Sequence, residues 1–118
     1  MDFEEAAKQV LTFRDEREWN QFHNPKDLAI SISIEAAELL EIFQWSGQNV
    51  DVEEKRNDLE EELADVMIYC IHMADCIGAN IPALISAKMA VNEAKYPVEK
   101  SWGNARKYTS LRRLFQQK

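Results

Sequence analysis

Apolar side chains recur at Phe3, Ala6, Ala7, Val10, Leu11, Phe13 and Phe22 among charged residues. That is a helical period with a polar outer face, and it predicts a first helix over 3–22. Asn24-Pro25 supplies an N-cap followed by proline at the first helical position, so a second helix is expected from there to about Trp45. Within it, Ile30-Ser31-Ile32-Ser33-Ile34 alternates with period two and by itself reads as a strand. The alternation stops there, and Glu35-Ala36-Ala37-Glu38-Leu39-Leu40-Glu41 continues with strong helix formers and no turn residue between, so the helix is preferred. Ser46-Gly47-Gln48-Asn49 breaks the chain. Asp51 with Glu54 then has capping-box spacing and predicts the start of a long third helix ending at Gly78. Asn80 and Pro82 open a fourth helix through about Lys95, stopped by Tyr96-Pro97, and a polar, basic tail with a Leu111/Leu114/Phe115 patch follows. Four helical segments joined by short breaks predict an all-α, four-helix-bundle-like fold, with a helical domain over 1–97 and a tail over 98–118.

Composition narrows the partners. A chain of 118 residues with 46% apolar content forms one core, and a protein of this size and shape often completes its burial by oligomerising. A formal net charge of -7 and a pI near 4.8 repel nucleic acid and anionic membranes, and no Lys/Arg stripe offsets them. Cys70 and Cys76 lack Cys-x-x-Cys spacing and lie in an apolar helical run, which reads as reduced, buried thiols in a cytoplasmic protein. Met1-Asp2-Phe3-Glu4-Glu5 offers neither a basic flank nor an apolar signal core, and no apolar stretch is long enough to cross a bilayer.

The candidate chemistry lies in misplaced acids. At about 100° per residue, Leu28, Ser31, Glu35, Glu38, Ile42 and Trp45 fall on one face of the second helix, so two carboxylates interrupt an apolar line. On the third helix Glu62 lies in line with Leu59, Val66, Tyr69 and Met73, with Asp65 at the edge of that face beside Asp58. Residues three apart on a helix are neighbours, so Glu35/Glu38 and Glu62/Asp65 can each grip a divalent cation, and two facing couples would hold a multi-metal site. Acids on a helix usually mark only a solvated face; carboxylates gathered in a desolvated groove must instead take up protons or bind cations. All-oxygen ligands suit magnesium, manganese or calcium, with magnesium keeping positions open for water and phosphate oxygens. No His or Cys pair has zinc spacing, and the Glu-x-x-His couples of a di-iron site are missing.

Several segments together resemble the MazG-like all-α nucleotide pyrophosphohydrolases, especially the compact dCTP pyrophosphatase subgroup. They are Glu16 to His23, Glu35 to Trp45, Glu61-Glu62-Leu63-Ala64-Asp65-Val66 with Tyr69, Lys88-Met89 through Asn92, Lys95-Tyr96-Pro97 and Lys107-Tyr108-Thr109. The similarity spans nearly the whole chain. Two positions depart from it: Ile34 precedes Glu35 where the wider family often has a second glutamate, and Val10 stands where some of the subgroup carry a histidine. The resemblance implies hydrolysis between the α and β phosphates of a nucleoside triphosphate, a homotetramer built as a dimer of dimers, and magnesium, with manganese as a substitute, on Glu35, Glu38, Glu62 and Asp65. Glu35 or Glu38 would orient or deprotonate the attacking water, and dCTP or a related deoxynucleotide would be the substrate.

Other residues have candidate roles beside plainer ones. Trp19 and Trp45, at the ends of the first two helices, could form a lid and floor for a flat base, or could be core. His23 could bond sugar or base, or cap a turn. Tyr69 resembles the family tyrosine beside the substrate sugar; its plainer role is packing. Lys88, Asn92 and Lys95 share a face of the fourth helix and could reach phosphate oxygens, the resemblance favouring the last two. His72 and the methionines are assigned to packing. The competing functions are a non-catalytic helical interaction module binding a basic partner, and a pyrophosphatase acting on dUTP or a modified nucleotide.

Overall fold

A computed structural model describes residues 1–50, 53–107 and 109. Among these residues every regular element is a helix, as the sequence predicts. The chain divides into two compact units, Met1–Ala79 and Asn80–Lys118. The first holds α1 (Phe3–Glu16), α2 (Pro25–Glu41) and α3 (Arg56–Cys76), with short 3₁₀ turns at Trp19–Phe22 and Glu53–Lys55. The second holds α4 (Ile81–Lys95) and α5 (Val98–Ser101). No single helix among the described residues is long and apolar enough to cross a membrane.

Helix starts follow local capping chemistry. Asp2 and Glu5 form a reciprocal capping box at the start of α1. The Asn24 side chain accepts from the Asp27 N–H at 2.9 Å, and the Asn80 side chain from the Ala83 N–H at 3.0 Å, each ahead of a proline in the first turn. The alternating segment 30–34 is helical, as preferred over the strand. The Asp51 cap and the Leu111/Leu114/Phe115 patch lie outside the described residues.

Helix ends depart from expectation in two places. The first helix stops at Glu16 rather than continuing to Phe22, because Glu18 takes a left-handed conformation at φ 55° and a separate 3₁₀ turn follows. Around that break Trp19 packs edge-on against Phe13 at 5.8 Å, and the Arg17 guanidinium lies 3.6 Å from the Phe13 ring centroid. These contacts offset the cost of a non-glycine residue in that region. The second helix ends at Glu41, four residues short of Trp45, and the Lys55 ammonium donates to the Ile42 carbonyl at 3.1 Å just beyond its end.

The C-terminus of α3 is a Schellman motif, with the Ala79 N–H bonded to the Ala74 carbonyl at 2.8 Å and the Gly78 N–H to the Asp75 carbonyl at 3.1 Å. Gly78 sits at φ 69°, and a Cβ there would meet nothing within 4 Å. Gly78→Ala is therefore expected to cost only backbone strain, about 1 kcal/mol, with Gly78→Asn costing less. Urea denaturation of the two variants checks this; an alanine variant as stable as the parent contradicts it.

In the first unit α2 packs along α3, and α1 packs against α3. Leu28 of α2 and Ile71 and Ala74 of α3 are the buried apolar residues among those described, Leu28 the most completely. Arg14 is also buried and ties α1 to α3 through a 2.7 Å ion pair from Nη1 to Asp75, with Nε donating to Asp15 at 2.8 Å. Both cysteines are free, but the expectation that both are buried fails: Cys70 is exposed and Cys76 only half-buried, and Ile71 and Ala74 occupy the core face beside them.

Candidate metal centre and adjoining cleft

Packing of α2 on α3 brings the two acidic couples together. One carboxylate oxygen from each of Glu35, Glu38, Glu62 and Asp65 lies within 4.8 Å of the others. Glu35, Glu38 and Glu62 are half-buried. Burial pushes the Glu35 carboxyl above the usual range, and its bond to Glu38 and the charges of Glu38, Asp65 and Glu62 add to the rise. Glu62 is raised by desolvation first, then by Glu38, Asp65 and Glu61. Glu38 thus meets Glu35 along α2 and Glu62 across on α3.

The fit to a hard cation rests on two observations. The donor set is all oxygen, and Glu35 Oε2 and Glu62 Oε2 are buried without any hydrogen-bond partner. A buried carboxylate oxygen that finds no N–H or O–H donor is costly unless a cation satisfies it. The quartet can therefore hold a divalent ion, and what it does chemically depends on what lies beside it.

Beside it lies a cleft of about 540 Å³. Glu35 and Asp65 form part of its wall, along with Phe13, Arg14, Trp19, His23, Tyr69 and His72. Three sequence candidates, Trp19, His23 and Tyr69, thus meet the carboxylates in one space. Trp45 does not: it lies beyond the end of α2, is 86% exposed and is absent from this wall. Lys88, Asn92 and Lys95 recur on one face of α4 in the second unit.

Two cleft residues were not picked out by sequence reasoning. Arg14 looks like one more charge on an amphipathic helix, yet it is 6% exposed. His72, assigned to packing, is indeed buried, at 8% exposure, but it also lines the cleft. Its ring meets His23 edge-on at 4.6 Å between centroids and Tyr69 at 5.9 Å. Spacing from Asp65 through Tyr69 to His72, at i, i+4 and i+7, was the available signal for a shared face.

Burial holds the His72 imidazole down at a pKa of about 4, with the His23 and Arg14 charges adding to the effect. His23 is lowered as well, first by burial and then by Arg14. The folded protein keeps His72 neutral where the unfolded chain, with an ordinary value of about 6.5, already binds a proton. Stability from this group is complete above pH 6.5 and drains as pH falls toward about 4, by on the order of 3 kcal/mol. The difference in urea stability between the parent and His72→Phe should change across that window and level off above it. An NMR titration of His72 with a midpoint above 6 would exclude the assignment.

The MazG-like family model matches residues 30–111. dCTP pyrophosphatase 1 of Rattus norvegicus is 40% identical over 115 residues, covering 93% of this chain and 68% of that protein. The Homo sapiens dCTP pyrophosphatase 1 is 36% identical over 113 residues, covering 92% and 66% respectively. Among solved structures, a pyrophosphatase from Archaeoglobus fulgidus superposes with a TM-score of 0.70 at 44% identity, covering 80% of this chain and 91% of its own.

Proposed function

The chain belongs to the MazG-like family, and from that premise we propose that it is a nucleotide pyrophosphohydrolase, cleaving a nucleoside triphosphate between the α and β phosphates to the monophosphate and pyrophosphate. The single observation that carries the reading is the carboxylate quartet opening onto an aromatic-lined cleft. Deoxycytidine triphosphate is the proposed preferred substrate, supported by the relatives' names. Magnesium is the proposed cation, supported by the all-oxygen donor set.

Glu35, Glu38, Glu62 and Asp65 would hold a divalent ion, which when bound would supply charge neutralisation for the triphosphate and make water easier to deprotonate. The residues do the rest. Glu35, whose carboxyl is raised by burial and then by the carboxylates around it, or its partner Glu38, would orient the attacking water and accept its proton. Trp19, half-exposed at the cleft rim, offers a stacking face for the base, worth about 1–3 kcal/mol. Tyr69 stands between the acids and His72 along α3, where a ring can press on the sugar. Lys88, Asn92 and Lys95 carry the donors that phosphate oxygens require, and their place in the proposal rests on that chemistry and on their shared face of α4.

We further propose a homotetramer, a dimer of dimers, acting on the cytoplasmic nucleotide pool. In its support, a single chain leaves Leu40 70%, Ile34 53%, Leu63 48% and Met67 46% exposed on α2 and α3. Light scattering tests the assembly.

Purified protein incubated with a nucleotide panel, with and without magnesium, tests the activity. Monophosphate plus pyrophosphate is expected. Diphosphate plus inorganic phosphate would refute the bond choice, preferential turnover of dUTP or a modified nucleotide would move the substrate, and no turnover of any nucleotide would leave a non-catalytic helical module as the better reading.

A further inference from the structure

We infer that Arg14, His23 and His72 form a base-reading subsite at the far end of the cleft from the carboxylates, selecting bases that present a carbonyl oxygen beside a ring imino or amino group. This rests on the nucleotide reading given above and names residues within the same cleft that set its specificity.

Distance sets the location. Asp65, Tyr69 and His72 follow one another along α3, and seven residues of helix span roughly 10 Å, on the scale of a nucleoside. A substrate with its phosphates at Asp65 and its sugar at Tyr69 therefore brings its base to His72. Trp19, in the same wall, offers an aromatic face to a base whose edge the histidines meet.

Unmet hydrogen bonds set the chemistry. His23 Nδ1 and His72 Nδ1 are both buried with no partner, although the two rings are in contact. Buried polar atoms are nearly always bonded, and a pair of orphans in one cleft wall points to an acceptor or donor that arrives with a ligand. A neutral imidazole carries one donor and one acceptor nitrogen. That suits the mixed edge of a heterocycle and does not suit a phosphate, which calls for cations.

Arg14 contributes a fixed donor. Its Nε and Nη1 are tied to Asp15 and Asp75, so the guanidinium is oriented and its charge is offset by two carboxylates. A guanidinium has five N–H donors, and two ion pairs leave capacity for a third acceptor. A donor whose charge is offset recognises a carbonyl oxygen more readily than it competes for a triphosphate. Adenine has no carbonyl and is the base this subsite disfavours.

The test measures kcat/KM for dCTP, dTTP, dUTP, dGTP and dATP with the parent protein, His72→Phe and His72→Gln, each checked for folding by its melt. The parent should discriminate against dATP. His72→Phe, which keeps the ring volume and removes both nitrogens, should lose at least tenfold on the best substrate through KM, leave dATP nearly unchanged and so flatten the ranking. His72→Gln, which restores a donor and an acceptor, should recover part of the ranking and carries the test if the phenylalanine variant does not fold. A uniform loss over all five substrates, an unchanged ranking, or a parent that favours dATP overturns the inference while leaving the pyrophosphohydrolase standing. A parent protein that turns over none of the five sinks the pyrophosphohydrolase reading itself, and this subsite with it.

Discussion

Glu38→Gln is expected to reduce magnesium-dependent nucleotide hydrolysis by on the order of 10³-fold, through kcat rather than through loss of fold. Burial raises the carboxyls of both Glu35 and Glu62, and the Glu38 side chain adds to the rise of each, so its charge bears on both. An amide of the same shape keeps the packing of α2 on α3 and withdraws one negative charge from the quartet. The stability consequence has the opposite sign to the catalytic one. Glu35 and Glu62 have folded-state pKa values raised above their unfolded ones, so the folded form binds protons more readily, and without metal stability declines as pH rises through those raised values. Removing the Glu38 charge relieves that repulsion. In a chelator, at neutral pH, the variant should melt at or above the parent temperature. Magnesium should raise the melting temperature of the parent and leave the variant nearly unmoved. A variant that retains activity, or a parent indifferent to magnesium in both assays, would show that these carboxylates hold no catalytic cation.

Leu28→Ala is expected to cost about 2–5 kcal/mol, the largest stability loss of any single apolar truncation in the first unit. Leu28 is 2% exposed, and the buried apolar set among the described residues contains only Ile71 and Ala74 besides it. With so few such residues, neighbours cannot collapse into the space without moving α2 on α3. Leu28 lies two turns before Glu35 on the same helix, so that movement would also loosen the quartet. A melting temperature lower by roughly 10 °C or more is expected, together with a weaker magnesium response. Leu28→Met, which conserves volume, should cost less than about 1.5 kcal/mol. A loss under 1 kcal/mol for the alanine variant would mean that the contact between α2 and α3 does not depend on this side chain.

Features governed by short-range chemistry were legible in the chain. Asn24 and Asn80 announce helix starts because a cap needs only a side-chain oxygen and an N–H three residues on, and Gly78 announces a helix end because its positive φ is nearly free for glycine alone. The acidic couples were legible for a related reason: helix geometry alone puts Glu35 beside Glu38 and Glu62 beside Asp65, on faces otherwise given to apolar residues. The break at Glu18 was not, since nothing in that residue's own preferences favours φ 55°. Trp45 falls four residues past the end of α2, because a face projected along an ideal helix takes no account of where the helix stops.

By itself, then, the sequence determined the all-helical architecture, the capping of its segments and the pairing of carboxylates within each helix, because each depends on atoms no more than about one turn apart. Only the tertiary structure decided that the two couples meet within 4.8 Å, that Arg14 pairs with Asp75 across 61 residues of chain, and that His23 and His72 meet edge-on in the wall of the cleft that Glu35 opens onto. Those relations are set by how α1 and α2 seat on α3. Side-chain packing determines that seating collectively, and no spacing within a single helix encodes it.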